Sequence, residues 1–316
     1  MKRRVPAGAV EPVDLTVEGT RVYAEHHRPA KRRARGGVLL LHGLNSDLRE
    51  FGGLPATLAA AGLHALAFDQ RGFGASAGER GRTGLDRVLA ETDVASAYLQ
   101  AQVRRAMPLG LVGHSLGGAL VLGVLARRRR YAAAALAHPV RCLFDELNPV
   151  ERAAYHVLGT LNRKHVAKGR PARTVPYKIR YRDMFVDPAA RDEARREPFL
   201  QERASLSNYD FAATMEADRW AAQVHVPVLC IQSPFDRVVE PEHSEAVYDA
   251  LAGPVERFSH LGGHSLFRDR DGAAVAEACA EFFARRLGGA RYGKAGRTGR
   301  GADGHDARGA RDGAAR

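Results

Sequence analysis

Short apolar runs alternate with longer amphipathic stretches along most of this chain. Residues 13–17 and 21–25 alternate apolar and polar positions around Glu18-Gly19-Thr20, which predicts a hairpin. Runs at 37–43 and 63–68 are apolar but for one histidine each and bounded by glycine or a polar turn, as expected of strands buried on both faces. Further strands are predicted leading into Ser115, at 132–137, at 226–231 and at 255–258. Helical periodicity fills the intervals at about 50–61, 85–105, 119–126, 241–251 and 272–286. Strands alternating with helices predict a mostly parallel central sheet flanked by helices on both faces.

Two regions break the rhythm. Residues 139–222, after the sixth predicted strand, contain charged amphipathic stretches (145–161, 188–196) separated by basic loops, and no buried strand. They are expected to form a helical cap inserted into an α/β core made of residues 13–138 and 223–287. Residues 1–12 are expected to be a flexible arm. Residues 288–316 consist largely of Gly, Ala, Arg and Asp, cannot bury enough surface to offset their ordering entropy, and are expected to be a disordered basic tail.

The most informative stretch is Gly113-His114-Ser115-Leu116-Gly117-Gly118, between an apolar strand and a predicted helix. Gly-x-Ser-x-Gly in that setting is a nucleophile elbow: the serine sits at the apex of a sharp turn and its hydroxyl projects above the sheet. A serine hydroxyl needs an adjacent base held by a third group. In the order Ser, acid, His, the loop after the 226–231 strand carries Asp236 and the loop after the 255–258 strand carries His264. His260 and Glu240 compete for these roles. The glycine pair before His264 favours it, and Glu240 lies at a helix entry where a solvated capping role suffices. Main-chain N–H groups of Leu44 and Leu116 are the expected oxyanion donors. His42, Gly43, His114, Phe144, Leu147, Tyr155, Met184 and Phe185 are candidates for contact with substrate.

Composition changes this picture little. Lys and Arg outnumber Asp and Glu by 48 to 36 in 316 residues, giving a formal charge of +12, but much of the excess lies near the ends. The internal run 127–130 falls at the end of the elbow helix, where cations suit the helix dipole. No aromatic platform accompanies it, so a nucleic-acid partner is not expected. Weak contact of this run and the tails with an anionic membrane surface is compatible with the sequence. Cys142, Cys230 and Cys279 are too scattered for a disulfide framework or a Cys-x-x-Cys metal site. No apolar run reaches the ~18–20 residues of a membrane span, and no apolar segment follows the basic start, so a cytoplasmic protein without metal is expected.

His42-Gly43, Asp69-x-Arg71-Gly72-x-Gly74-x-Ser76, Gly113-His114-Ser115-Leu116-Gly117-Gly118, Asp236 and Gly263-His264 together resemble the α/β-hydrolase superfamily. Within it the chain is similar to the monoacylglycerol lipase and lysophospholipase group of serine aminopeptidase-like hydrolases. That resemblance covers about residues 13–287. It implies an α/β-hydrolase fold with a helical cap, and ester hydrolysis by a Ser–Asp–His triad without a cofactor. The implied substrate is a small acyl ester, lipid-like in kind. An aminopeptidase of the proline iminopeptidase type, a thioesterase, and a binding module with an inactive site remain open alternatives.

Overall fold

The computed structural model describes residues 9–29, 34–103, 106–145 and 147–288. Strands β1 (Val10–Val17), β2 (Thr20–His27), β3 (Gly37–Leu41), β4 (His64–Phe68), β5 (Leu109–His114) and β6 (Tyr131–Ala137) precede the insertion. The insertion contributes the short strands β7 (Thr174–Pro176) and β8 (Arg203–Ser205), and β9 (Val228–Gln232) and β10 (Val255–Ser259) follow it. Eight strands form one sheet in the order β1-β2-β4-β3-β5-β6-β9-β10. From β4 to β10 every pairing is parallel; β1 and β2 add an antiparallel edge. This is the α/β-hydrolase architecture.

Helices α1 (Leu54–Ala60), α2 (Leu85–Ala101) and α3 (Leu116–Arg127) connect the first strands. The insertion holds α4 (Pro149–Val166), α5 (Tyr181–Met184), α6 (Pro188–Arg196), α7 (Tyr209–Thr214) and α8 (Ala217–Ala221), and α9 (Pro241–Asp249) and α10 (Gly272–Gly288) complete the chain. The pleat sorts side chains between two cores. Leu39 and Leu41 face α2 and α3 in one cluster; Val38 and Leu40 face α1 and α10 in the other. A strand that must serve both cores has to be apolar throughout, which is why β3, β4 and β5 read as unbroken runs.

Four boundaries differ from expectation. Val10, Glu11 and Pro12 are strand, paired with His27, His26 and Glu25, where a flexible arm was expected; residues 1–8 of that expected arm lie outside the described residues. The expected 50–61 helix is a 3-10 turn at Leu48–Phe51 and a separate α1, broken where Gly52 turns to φ +49°. In the insertion α4 begins later than expected because Asn148 and Glu151 form a reciprocal capping box with Pro149 in the first turn. The insertion also carries the β7–β8 ladder, whose three residues per strand leave no periodicity to read in the sequence. The expected tail, 288–316, lies almost wholly outside the described residues.

In the chain, β3 sends its crossover to β4 on one side, while β5 returns to β3's other side. Such a reversal opens a crevice beyond the carboxyl ends of the two strands. The His42 loop and Ser115 emerge there.

Candidate active site

Ser115 links β5 to α3 with φ 53° and ψ −122°, outside the ordinary regions for a residue with a side chain. The turn is closed by Ser115 N–H donating to Ala137 O (2.8 Å) and by Gly118 N–H donating to Ser115 O (3.0 Å). A Cβ on Gly113 would lie 2.5 Å from Gly117 O, and one on Gly117 would collide with the Leu41 carbonyl. Both flanking glycines are therefore steric requirements of the turn.

Asp236 and His264 follow β9 and β10, which are adjacent and parallel, so their loops converge. His264 Nδ1 lies 2.7 Å from Asp236 Oδ2 in a buried hydrogen bond. The other carboxylate oxygen accepts Val238 N–H (2.8 Å) and Val239 N–H (3.0 Å). Burial alone would raise the Asp236 pKa, but the facing His264 and His138 hold it well below the usual carboxylate range. With Asp236 fixed as acceptor, His264 Nδ1 must be the donor and Nε2 is the free, basic nitrogen. Burial lowers the His264 pKa and Asp236 only partly restores it, so the ring is neutral near pH 7.

Two further histidines complete the cluster. His260 Nδ1 accepts Gly262 N–H (3.1 Å), which leaves its proton on Nε2, 3.1 Å from His138 Nε2. His138 Nδ1 is then the protonated nitrogen, and it lies 2.7 Å from Asp236 Oδ2, close in distance though not aligned as a hydrogen bond. His260 has its ring nitrogens committed to His138 and the backbone, and burial pushes it down to about 3. Of the two competing histidines, His264 is the one hydrogen-bonded to Asp236. Glu240 stands at the entry of α9.

Behind the elbow, His114 Nε2 donates to His264 O at 2.8 Å, and its Nδ1 lies 3.1 Å from Glu50 Oε1. Glu50 Oε1 also accepts Gly43 N–H at 2.8 Å. Burial would lower His114, yet the Glu50 carboxylate outweighs it and raises the pKa; His114 in turn holds Glu50 low against its own burial. This pair connects the Gly43 loop with the His264 loop beneath Ser115.

The remaining candidates divide clearly. His42 uses both ring nitrogens on the backbone, with Gly43 O at 2.8 Å and Gln70 N–H at 2.9 Å, so it shapes the Gly43–Leu44 loop. Asp69, part of the sequence pattern, accepts Leu48 N–H (2.8 Å) and Ala75 N–H (2.7 Å) and ties two loops together. Phe144 and Tyr155 pack against Tyr209 within the insertion, and Phe185 is buried with Ala194 and Phe199; Leu147 and Met184 are half-buried. Glu50, His138 and Asn45 were not singled out from the sequence. His138 had a signal, its place directly after a strand; Glu50 had none, since its role depends on a fold-dependent contact. Asn45, next to Leu44, is fully buried with both amide atoms lacking a partner. Two clefts of about 370 and 550 Å³ share Glu25, Leu48 and Arg49, and Ser115 lines neither.

The buried trio His114, His138 and His264 brings three ring nitrogens within 4.8 Å of one another. Hydrogen bonds of His114 to a carbonyl, of His264 to Asp236 and of His138 to His260 already account for much of that convergence. The arginine run also has partners. Arg128 and Arg130 pair with Asp93 at 3.0 and 2.9 Å, and Arg127 stacks over Trp220. Among the described residues, no helix is long and apolar enough to cross a membrane.

The chain matches the family model described as serine aminopeptidase, S33, over residues 32–271. It is 26% identical over 249 residues to a monoacylglycerol lipase of Mycolicibacterium smegmatis, covering 77% of this chain and 86% of that protein. An abhydrolase domain-containing protein of Dictyostelium discoideum is 24% identical over 225 residues, 70% of this chain but 23% of its own length. The crystal structure of a Paleococcus ferrophilus monoacylglycerol lipase superposes with a TM-score of 0.68 at 22% identity, covering 88% of this chain and 99% of the other.

Proposed function

Because the chain belongs to the serine aminopeptidase (S33) family of α/β-hydrolases, we propose that it hydrolyses carboxylic esters of lipid-like acyl groups through Ser115, His264 and Asp236. The observation that carries this reading is the 2.7 Å bond from His264 to Asp236, on neighbouring strand ends beside the Ser115 elbow. Ser115 Oγ attacks the acyl carbonyl while His264 Nε2 takes its proton. Asp236 keeps His264 in the required tautomer and stabilises the imidazolium. Main-chain N–H groups of Leu44 and Leu116 receive the negative charge on the carbonyl oxygen; a donor of this kind contributes about 3–4 kcal/mol. His264 returns the proton to the leaving alcohol, and water releases the acyl group by the same steps in reverse.

Two features support a lipid-like acyl group. The insertion exposes Val150 (78%), Val157 (56%), Leu158 (41%) and Leu161 (52%) along α4, a surface suited to acyl chains. The Mycolicibacterium relative is a monoacylglycerol lipase. The family description itself favours a second reading, aminopeptidase action. Hydrolysis of p-nitrophenyl esters of graded chain length, with Ser115→Ala alongside, tests the proposal. Activity that rises with chain length and disappears in the variant is expected. Cleavage of aminoacyl p-nitroanilides in place of the esters would establish the peptidase reading instead.

A further inference from the structure

Asp269 joins the insertion to the loop that carries His264. Its carboxylate is buried and accepts four backbone N–H groups. Oδ2 receives Gly263 N–H at 2.6 Å and Val186 N–H at 2.7 Å; Oδ1 receives Asp187 and Arg270 N–H at 2.9 Å each. Val186 and Asp187 belong to the insertion, and Gly263 directly precedes His264. The two segments also bond to each other, since Ser265 N–H donates to Met184 O at 2.9 Å. They approach so closely that a Cβ on Gly263 would lie 2.6 Å from that same oxygen.

We propose that Asp269 is a positioning residue for His264: its carboxylate splices residues 184–187 to residues 263–265, so that the cap and the base hold one common register. The inference rests on His264 acting as the base. The backbone around that ring is held from three directions, by Asp269 on Gly263 N–H, by His114 on the His264 carbonyl, and by Met184 O on Ser265 N–H. Asp269 is the side chain among them that grips both segments. Only an ionised carboxylate suits the position, because four donors converge on two oxygens. An amide of the same shape would turn an NH2 group toward two N–H groups.

Asp271 supplies the control. Its carboxylate accepts Leu261 N–H at 2.6 Å in the same loop, three residues before His264. Asp269→Asn and Asp271→Asn, made in the full chain, are compared with wild type on a p-nitrophenyl ester, with rates normalised to titrated active sites. Asp269→Asn is expected to lower kcat about 10- to 100-fold, the scale of an ångström's misplacement, with KM changed far less and the acid limb of kcat/KM displaced. Asp271→Asn is expected to keep kcat near wild type. A folded Asp269→Asn enzyme with wild-type kcat and pH profile overturns the proposal, as does an equal loss in Asp271→Asn. Hydrogen exchange on the wild type, under rising denaturant, needs neither a variant nor an ester substrate. Residues 184–187 and 263–265 are expected to open together, and opening at clearly different denaturant concentrations overturns the proposal. If wild type hydrolyses no ester, the functional reading fails while the exchange experiment still decides the splice.

Discussion

Two groups of buried histidines occupy opposite ends of the parallel strands, and they behave differently. At the amino end, His64 opens β4 and its Nδ1 lies 2.8 Å from Nε2 of His26, whose other nitrogen lies 3.1 Å from the Tyr98 hydroxyl. Burial pushes His26 down to about 3 and His64 to about 4, with positive neighbours such as Arg28 adding to the shift. At the carboxyl end, His114 and His264 are likewise buried, but each faces a carboxylate. There His114 rises above its ordinary value, and Asp236 offsets part of the fall that burial imposes on His264. His260 settles which difference matters. It belongs to the carboxyl-end cluster yet bonds to His138 and a backbone N–H, and it falls to about 3 like the distant pair. Burial silences an imidazole; a facing carboxylate returns its ability to hold a proton.

The most damaging way to break this contrast is to remove the carboxylate from His264. Asp236→Asn preserves shape but presents an amide that permits the wrong tautomer, and kcat is expected to fall about 10⁴-fold. Thermal unfolding and steady-state kinetics on the same preparation check it, and a loss below about tenfold in a folded variant would remove Asp236 from the proposed triad.

Glu50→Gln is expected to act more gently and in a way that can be told apart. Without the carboxylate, burial drives His114 toward its neutral form, and a positive charge disappears from a ring 4.6 Å from that of His264. His114 is one of the charges that lowers His264, so the acid limb of kcat/KM should move up in pH, toward 6.5. The maximal rate should drop by up to roughly 10-fold as Gly43 N–H exchanges a charged carboxylate acceptor for a weaker amide oxygen and the donor loop loosens. An unchanged acid limb would mean that His114 carries no charge in the working enzyme.

How much of this was legible in the sequence follows from the range over which each feature is written. The Ser115 elbow is local: five residues, a strand and a helix carry it, and the two glycines are demanded by contacts within the same turn and the adjacent strand. Asp236 and His264 are distant in the chain but each follows a readable strand, so topology alone brings them together. Glu50 and Asp269 look like ordinary surface acids in sequence. They become buried anchors because Gly43, His114, Gly263, Val186 and Asp187 converge on them from separate elements. His42 shows the intermediate case. Its position after β3 was evident, but its ring serves Gly43 and Gln70 rather than an open site. The pocket-lining residues of the insertion were least legible, since Phe185 packs into a small core with Ala194 and Phe199 much as any amphipathic segment would.

The smallest effect on activity, and the sharpest test of the contrast, lies with the amino-end pair. The unfolded chain takes up protons on His26 and His64 near pH 6.5, whereas the folded chain refuses them until about pH 3–4. Between those limits the unfolded state binds more protons, so folding stability falls as the pH falls, by up to about 1.4 kcal/mol per pH unit for each histidine. Replacing His26 with Phe and His64 with Leu removes both sites while keeping the positions apolar. Urea unfolding at pH 7, 6, 5 and 4 should show a flatter dependence of stability on pH in the double variant, with kcat at pH 7 unchanged. His260, also near 3, keeps part of the slope in both proteins. Equal slopes would mean that the His26–His64 pair takes up protons in the folded state as readily as in the unfolded one, and that burial without a carboxylate does not silence an imidazole in this protein.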